Sequence, residues 1–388
     1  MEFIPNLSYF WIVIKRILED KIGERLFKKK AIVLLGPRQV GKTTLLKRLG
    51  VSADSVVWLN GDELDVHTLM ASINQGNVKM LMGNKNVLVI DEAQRIEDIG
   101  IKLKIIIDNY PAIQVIATGS SAFDLANRIN EPLTGRKWEY QLFPLSFEEM
   151  VQHHGLLDEQ RLVKQRLVFG YYPEVVTHPG EEIERLKLLT SSYLYKDVLQ
   201  WERIHKSDKL NRLLQALALQ IGSQVSYLEL AQICGLDSKT VEKYICLLEQ
   251  AFVIFRLGSF SRNLRNELKS SRKIYFVDNG VRNALISNYN PVELRNDVGA
   301  LWENFILSER YKFNEYHQHY CSSYFWRTVS QQEIDYLEEY NGKLYAYEFK
   351  WNASKTVKAP RAFLNAYPDS SFEVITPETM YAFIMKMP

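Results

Sequence analysis

Four short apolar runs mark the N-terminal third of the chain, and stretches with apolar residues at helical spacing lie between them. The runs are residues 31–35, 56–59, 87–90 and 113–117. A continuous apolar run of this length is typical of a strand that is buried on both faces of a parallel sheet. Strands that alternate with helices in this way predict an α/β domain with a parallel sheet.

The pattern changes after about residue 145. Residues 145–219 are charged and helical in spacing, and residues 223–260 predict two short helices followed by an apolar hairpin. Beyond residue 298 strand patterns return, at 323–327, 333–340 and 343–350. The Asn341-Gly342 pair between the last two strands is a strong signal for a hairpin turn.

A chain of 388 residues is too long for one ordinary core and predicts two or three domains. We expect an α/β domain at residues 1–145, in which residues 1–30 are helical, and a helical connector at 146–222. A helix-turn-helix segment is expected at 223–262, and a second α/β domain at 263–388.

Composition restricts the setting and the partners. The net charge is +2, so a nucleic-acid site would have to be a local basic patch. The three cysteines, Cys234, Cys246 and Cys321, form no zinc-binding spacing and no disulfide framework, which favours a reducing, cytoplasmic location. No apolar run approaches the ~20 residues that span a bilayer, and the stretch 9–14 lacks the features of a signal peptide, so no membrane partner is expected.

A complete phosphate-binding motif follows the first apolar run. Residues 36–43 match G-x-x-x-x-G-K-[ST], with a predicted strand before the motif and a helical pattern after it. The glycines let backbone N–H groups turn toward phosphates at a helix N-terminus, Lys42 contributes a positive charge, and the Thr43 hydroxyl is a magnesium ligand. We predict binding of ATP with Mg²⁺ through Gly36, Pro37, Arg38, Gln39, Val40, Gly41, Lys42, Thr43 and Thr44.

Two acids at the end of the third apolar run complete this predicted site. Residues 87–90 lead directly into Asp91 and Glu92, as on a central strand that delivers carboxylates to the ligand-binding edge of a sheet. Asp91 would hold the magnesium ion, and Glu92 would orient or deprotonate the attacking water. The alternative is an acidic cap on the next helix, which accounts for one acid but poorly for both.

Two further segments are weaker candidates. Thr118-Gly119-Ser120-Ser121 follows the fourth apolar run, where a polar side chain would sense the γ-phosphate or position the water, or simply form a turn. Arg136, in Leu133-Thr134-Gly135-Arg136, would stabilise transition-state charge in its own subunit or in a neighbouring subunit of a homo-oligomer. An ordinary surface arginine is the alternative.

These motifs resemble those of a large group of prokaryotic AAA-type ATP-binding proteins. The resemblance is carried by GPRQVGKTT (36–44), VLVIDEAQ (87–94), ATGSSAF (117–123) and LTGRKWEYQLFPLSFEE (133–149). It implies a P-loop ATPase domain, a winged-helix segment and a C-terminal domain similar to restriction-endonuclease-like folds. Two elements depart from the family: in the first, residues 170–175, Tyr171 replaces a glycine, and in the second, residues 193–198, Lys196 stands where arginine is usual.

The predicted helix-turn-helix begins with the capping-box pattern Ser226–Glu229, has a stop at Gly235, and continues into a second helix capped by Asp237 or Ser238. Residues 251–260 would form the wing. The second helix would carry Lys239, Glu242 and Lys243 on its surface, which is only weakly basic. A better phosphate-binding patch comprises Arg262, Arg265, Lys269, Arg272 and Lys273. A module that merely packs the two flanking domains together is the alternative to DNA binding.

An acidic cluster is predicted near the C-terminus. Glu348 and Lys350 project from one face of a strand, and Asp335 on the neighbouring strand can meet them. Glu303, on a predicted helix, is a further candidate ligand. This arrangement resembles the PD-(D/E)xK nuclease motif, in which carboxylates hold magnesium for phosphodiester cleavage. An inactive, binding-only domain is the alternative.

Two functional hypotheses follow from the sequence. In the first, the nucleotide state of a magnesium-dependent ATPase controls a DNA-acting, nuclease-like C-terminal domain. In the second, a nucleotide-switched protein binds DNA or a protein partner without cutting.

Overall fold

The computed structural model describes residues 13–120, 125, 128–192, 207–261, 272–328, 330–352 and 357–388. Within these residues the strands form two sheets, one of five strands and one of seven. No helix in this part of the chain is long and apolar enough to cross a membrane.

The five-stranded sheet is entirely parallel, in the order β2-β3-β4-β1-β5. Its strands are β1 (Ala31–Leu35), β2 (Val56–Asn60), β3 (Val87–Asp91), β4 (Gln114–Gly119) and β5 (Lys137–Gln141). Helices α1 (Ile17–Gly23), α2 (Lys42–Lys47), α3 (Leu64–Ala71), α4 (Val78–Met82) and α5 (Ile99–Asn109) belong to this region. The four predicted strands and the α/β class are confirmed.

The structure of this region differs from the prediction in two places. The edge strand β5 was missed, because Lys-Trp-Glu-Tyr-Gln mixes polar and aromatic residues rather than forming an apolar run. The helix expected over residues 1–30, with its stop at the three lysines 28–30, is limited within the described part to α1, which already ends at Gly23.

A helical layer follows the sheet. It comprises α6 (Phe147–His154), α7 (Leu156–Phe169), α8 (Pro173–Val176), α9 (Glu182–Ser192) and α10 (Ser207–Leu219). Ser146 caps α6, because its hydroxyl accepts a hydrogen bond from the Glu149 amide at 3.1 Å. In turn, the Glu149 carboxylate accepts a hydrogen bond from the Ser146 amide at 3.0 Å. The second family element, which includes Lys196, lies outside the described residues.

The predicted pair of short helices is present. After β6 (Gln224–Val225) come α11 (Tyr227–Cys234) and α12 (Ser238–Gln250). Ser226 and Asp237 cap them as predicted, and Gly235, with φ +62°, ends the first helix.

The expected hairpin at 251–260 is wrong in its extent. Only β7 (Ile254–Ser259) lies there, and its antiparallel partner is β8 (Arg272–Phe276). The residues that connect the two strands lie outside the described part of the chain.

The C-terminal elements extend the same sheet. They are α13 (Asn279–Leu285), α14 (Val298–His317), β9 (Ser322–Arg327), β10 (Glu333–Tyr340), β11 (Lys343–Phe349), α15 (Arg361–Ala366), β12 (Ser371–Ile375) and α16 (Met380–Met385). The mixed sheet has the order β12-β11-β10-β9-β7-β8-β6. Asn341 and Gly342 both have positive φ, at +52° and +74°, and form the predicted turn between β10 and β11.

Helix α14 connects the two halves of the molecule. Its 20 residues extend over ~30 Å at 1.5 Å per residue. Near its start, Asn304 donates to the Phe276 carbonyl and accepts from the Phe276 amide of β8. Farther along, Glu309 accepts from the amide of Phe147 at 2.6 Å, and Lys312 donates to the carbonyl of Leu145 at 2.9 Å. One continuous apolar core includes residues of both sheets and of the helical layer, so these regions pack against one another.

Candidate functional site

The phosphate loop lies between β1 and α2, and its glycines are sterically required. A Cβ atom on Gly36 would lie 2.1 Å from the carbonyl oxygen of Leu142, so no other residue fits there. Gly41, with φ +93°, caps α2 in a conformation that favours glycine, and Gln39 has φ +62°. The loop therefore has the turned backbone that points N–H groups toward a phosphate.

Lys42 is buried beneath this loop. Its ammonium group donates to the carbonyl oxygens of Gly36 at 2.7 Å and Pro37 at 3.0 Å. Both acceptors belong to the loop itself, so the charge is held at the position where phosphate oxygens would be bound.

Thr43 and Asp91 meet as predicted. The Thr43 hydroxyl donates to one carboxylate oxygen of Asp91 at 2.9 Å, and the Thr118 hydroxyl donates to the other. Strand β4 lies between β1 and β3. Thr118, near the end of β4, therefore lies between the phosphate loop and Asp91. A hydroxyl oxygen beside a carboxylate is the donor set that a hard cation such as Mg²⁺ prefers, so these residues fit that ion.

Glu92 has an unusual backbone conformation. Its φ is +50° and its ψ is 42°, in the left-handed region that non-glycine residues occupy at a cost of about 1–3 kcal/mol. The amide of Glu92 donates to the Thr118 hydroxyl at 3.3 Å. A Cβ atom on Gly61 would lie 2.4 Å from the Glu92 carbonyl oxygen, so Gly61 makes room for this turn.

Gln94, for which no role was predicted, holds the Glu92 side chain and also contacts Ser120. The Gln94 amide donates to the Glu92 carboxylate at 2.6 Å and to the Ser120 hydroxyl at 3.2 Å. A Cβ atom on Gly119 would come within 3.1 Å of the Gln94 side-chain oxygen. Ser121, the last residue of this segment, lies outside the described residues.

Arg136 is not brought to the phosphate loop. Its carbonyl accepts from the Ala31 amide at the start of β1, whereas Gly36 follows the opposite end of that strand. Five residues of strand separate the two ends by ~16 Å. The guanidinium instead pairs with Asp108 on α5 at 2.7 Å. The structure therefore does not join Arg136 to the nucleotide site of its own chain, and a role in a neighbouring subunit stays a prediction.

A cavity of about 160 Å³ opens beside the start of α2. Its walls are largely apolar and include Ile14, Val40, Gly41, Thr44, Leu145 and Pro173. Pro173 belongs to the first family element, in which Tyr171 replaces a glycine, and the Tyr171 ring is itself buried. The position beside the phosphate loop and the apolar lining suit a nucleotide base.

Arg16 links the phosphate loop to the rest of the molecule, a role that was not predicted from the sequence. The buried guanidinium donates to the carbonyl oxygen of Val40 in the loop and to that of Phe143, each at 2.7 Å. It also donates to Glu149 at 2.9 Å and to the Tyr316 hydroxyl of α14 at 3.1 Å. A single side chain thus joins the loop, the cap of α6 and the C-terminal half.

The C-terminal acidic residues also meet. The register of β10 and β11 pairs Tyr336 with Tyr347, so the next pair places Asp335 directly opposite Glu348. Asp335 accepts from the Phe349 amide at 2.8 Å, and Lys350 donates to Glu348 at 2.6 Å. Burial raises the pKa of both carboxyl groups.

Glu303 joins this cluster from α14, together with groups that the sequence did not predict. Tyr275 donates to its carboxylate at 2.6 Å, and the Lys273 ammonium lies 3.2 Å from it and 2.5 Å from Glu333. Burial, reinforced by the negative charge of Asp335, raises the pKa of Glu303 to about 7.

Lys273 is therefore not available to bind DNA phosphates. Only 2% of its side chain is exposed, and its charge is paired within the protein. Arg272 lies near the Tyr227 hydroxyl at 3.5 Å. The other three members of the predicted basic patch, Arg262, Arg265 and Lys269, lie outside the described residues. On α12, Lys239, Glu242 and Lys243 are exposed as expected.

The raised pKa of Glu303 predicts a pH effect on stability. In the native state the Glu303 carboxyl binds its proton more tightly than in the unfolded chain, where its pKa is near 4.5. Protonation of Glu303 therefore stabilises the native state, and this contribution is fully present below pH 4.5. This contribution is lost as the pH rises toward 7. We expect Glu303→Gln, which keeps the shape and removes the titration, to reduce the fall in unfolding free energy between pH 5 and pH 8.

Denaturant midpoints of the parent and the variant at several pH values would measure this difference. Glu339→Gln, at an exposed position of β10, is the control. Parallel pH profiles for parent and Glu303→Gln would contradict the assignment.

Comparison with known proteins agrees with the geometry of the first domain. Residues 28–151 match a family model described as an AAA domain. Residues 160–291 and 298–383 match two domains of unknown function, DUF8612 and DUF4143.

Two related proteins align with most of this chain. The uncharacterized protein Rv2008c of Mycobacterium tuberculosis is 26% identical over 351 residues, which cover 89% of this chain and 76% of that protein. The uncharacterized protein MJ1637 of Methanocaldococcus jannaschii is 26% identical over 339 residues, and the alignment covers 76% of this chain and 71% of that protein.

Among solved structures, the Walker-type ATPase paby2304 of Pyrococcus abyssi aligns with a TM-score of 0.49 at 15% identity, covering 71% of this chain and 96% of that one. The match of residues 28–151 to the AAA domain and the arrangement of Lys42, Thr43 and Asp91 together support a nucleotide-binding domain of the AAA type in this part of the chain.

Proposed function

We propose that this chain hydrolyses ATP with Mg²⁺ and transmits its nucleotide state to its C-terminal domain. The observation that carries the proposal is the convergence of Lys42, Thr43 and Asp91 at one edge of the parallel sheet. A phosphate loop with a lysine, a threonine and a facing aspartate binds a polyphosphate. A glutamate directly after that aspartate, here Glu92, is placed to activate the attacking water.

Each residue has a distinct part in this proposal. Backbone amides of residues 36–43 bind the phosphates, and Lys42 turns from its loop carbonyls to the β- and γ-phosphate oxygens. Thr43 and Asp91 would hold Mg²⁺, which when bound neutralises charge on the phosphates. Glu92 orients the attacking water and accepts its proton, while Gln94 fixes the Glu92 carboxylate.

The cavity beside α2 would receive the adenine ring. Ile14 and Val40 offer apolar surface to its faces, and the half-buried carboxylate of Glu174 at the rim would accept a hydrogen bond from the adenine amino group. A guanine presents a carbonyl oxygen at that position, which a carboxylate disfavours. This supports ATP as the nucleotide.

Turnover is tested directly by measuring phosphate release from ATP in Mg²⁺ and in EDTA. The proposal expects steady release in Mg²⁺ and none above background in EDTA. Release that is equal in the two buffers, or absent from both, would contradict it.

Transmission would run through Arg16 and helix α14. Nucleotide binding changes the surroundings of the loop carbonyl of Val40, to which Arg16 donates, and the same guanidinium contacts Tyr316 near the end of α14. Glu303 lies 13 residues earlier on this helix, ~20 Å away. The helix would carry a small displacement at one site to the acidic cluster at the other.

For the C-terminal part of the chain we propose action on DNA, with α11 and α12 as the paired helices of a winged helix and β7 and β8 as its wing strands. Metal-dependent cleavage by Asp335, Glu348 and Lys350 is supported by their contacts on adjacent strands. A binding role without cleavage is supported by the buried ammonium of Lys273, which already neutralises Glu303 and Glu333.

Replacing Asp335 separates these two roles. If the cluster cuts, Mg²⁺- or Mn²⁺-dependent cleavage of DNA should fall by at least about 100-fold in Asp335→Ala, because a direct ligand of the ion is lost. Glu339→Ala, at an exposed position of the same strand, should cut like the parent. No cleavage by the parent, with DNA binding retained, would remove the nuclease role and leave the binding role.

A further inference from the structure

A second polar site lies where the ATPase domain, the paired-helix segment and the C-terminal sheet meet. A cavity of about 450 Å³ opens there. Its lining includes Gln141, Arg256, Asn314, His319, Cys321 and Tyr336. None of these residues belongs to the phosphate loop or to the acidic cluster around Asp335.

Several polar atoms at this cavity have no hydrogen-bond partner. His319 is only 4% exposed, and neither of its ring nitrogens makes a hydrogen bond. The side-chain oxygens of Asn314 and Gln141 are also unpartnered. Burying a polar atom without a partner costs about 1–3 kcal/mol, so several such atoms at one cavity suit the binding of a polar ligand or an ion there.

Three of the side chains have the composition of a metal-binding set. One ligand atom each from His319, Cys321 and Glu338 lie within 4.8 Å of one another. His319 Nε2 is 3.6 Å from Glu338 Oε2. That distance is too long for a hydrogen bond, but it suits two atoms that share one tetrahedral ion with bonds of about 2 Å.

Glu338 is oriented for this role by its other contacts. Oε1 accepts from Arg310 at 2.6 Å, Tyr336 at 2.9 Å and Asn314 at 3.2 Å, so its acceptor capacity is used. Oε2 accepts from Arg310 at 2.6 Å. A carboxylate oxygen has two lone pairs, which leaves one on Oε2 on the side of His319. Arg310 fixes the carboxylate, as groups around metal ligands commonly do.

We propose that His319, Cys321 and Glu338 bind a divalent ion of the zinc class, with the fourth position open to the cavity. Imidazole nitrogen, thiolate sulfur and a carboxylate oxygen together select zinc-like ions over Mg²⁺ or Ca²⁺, which prefer oxygen alone. Binding displaces the thiol proton of Cys321, so the ion is held as a thiolate complex. Asn314 lies within hydrogen-bond range of the Cys321 sulfur, at 3.3 Å, and would support it.

The site is tested on the full chain, purified, stripped with chelator and then exposed to Zn²⁺ or Co²⁺. We expect one tightly bound zinc per chain by elemental analysis. With Co²⁺ we expect the near-ultraviolet charge-transfer absorption of a cobalt–thiolate bond. This absorption needs no variant, so it reports on the intact fold.

Variants locate the ion. Cys321→Ser and His319→Gln should lose the zinc and the charge-transfer band, whereas Cys246→Ser and Glu348→Gln should keep both. Glu348→Gln distinguishes this site from the acidic cluster on β10 and β11. The proposal is overturned if the parent retains no stoichiometric zinc, if the cobalt form lacks the band, or if Cys321→Ser binds zinc like the parent.

Discussion

Glu92→Gln is expected to lower ATP turnover by at least about 100-fold while ATP binding changes by only a few-fold. A positioned general base contributes about 10²–10⁴-fold to a rate, and glutamine keeps the shape of glutamate but accepts no proton. The strained backbone of Glu92 and its hydrogen bond from Gln94 fix the carboxylate at the sheet edge. Phosphate release at saturating ATP measures the loss, and calorimetric titration measures binding.

Glu97→Gln is the matched control, because Glu97 is exposed and lies a few residues further along the same segment. It should turn over ATP like the parent. If Glu92→Gln released phosphate at the parental rate, Glu92 would have no part in the chemistry, and another group would have to activate the water.

Arg16→Met is expected to destabilise the protein by about 3–5 kcal/mol, which is the usual cost of leaving one partner of a buried ion pair alone. Glu149 is fully buried and Arg16 is 5% exposed, so the carboxylate left behind could not reach solvent. The substitution also frees the Val40 carbonyl, so ATP affinity should fall together with stability. Urea denaturation and nucleotide titration measure the two effects.

Arg161→Met is the control for a lost arginine. Arg161 pairs with Asp158 at 3.1 Å, and both side chains are exposed, by 76% and 60%, so its loss should cost less than about 1 kcal/mol. The double variant Arg16→Met with Glu149→Gln should recover part of the lost stability, because no unpaired charge remains. If Arg16→Met cost no more than Arg161→Met, Arg16 would not be the link described above.

The features that the sequence predicted well are those encoded locally. The apolar runs gave β1 to β4, the glycine and lysine spacing gave the phosphate loop, and Asn341-Gly342 gave the turn and hence the register that sets Asp335 opposite Glu348. Each depends on backbone preferences within a few residues, so no knowledge of the tertiary fold was needed.

The features that the sequence missed depend on distant contacts. Arg16 bonds to residues that are 24, 127, 133 and 300 positions away, and no local pattern marks such a residue. Lys273 looked like part of a basic surface patch, yet pairing of β8 with β7 turns it inward to Glu303 and Glu333. Arg136 directly precedes β5, at the end of that strand farther from the phosphate loop. The apolar pattern did not reveal this strand.

The most direct test of the central claim is a titration of ATP with Mg²⁺ into the parent and into Lys42→Ala. The account predicts saturable binding by the parent and none by the variant in the same concentration range, since the buried ammonium is the charge that meets the phosphates. Circular dichroism and thermal unfolding should show that the variant is folded. Equal affinity in the two proteins, or no saturable binding by the parent, would contradict the claim that this loop is a nucleotide site.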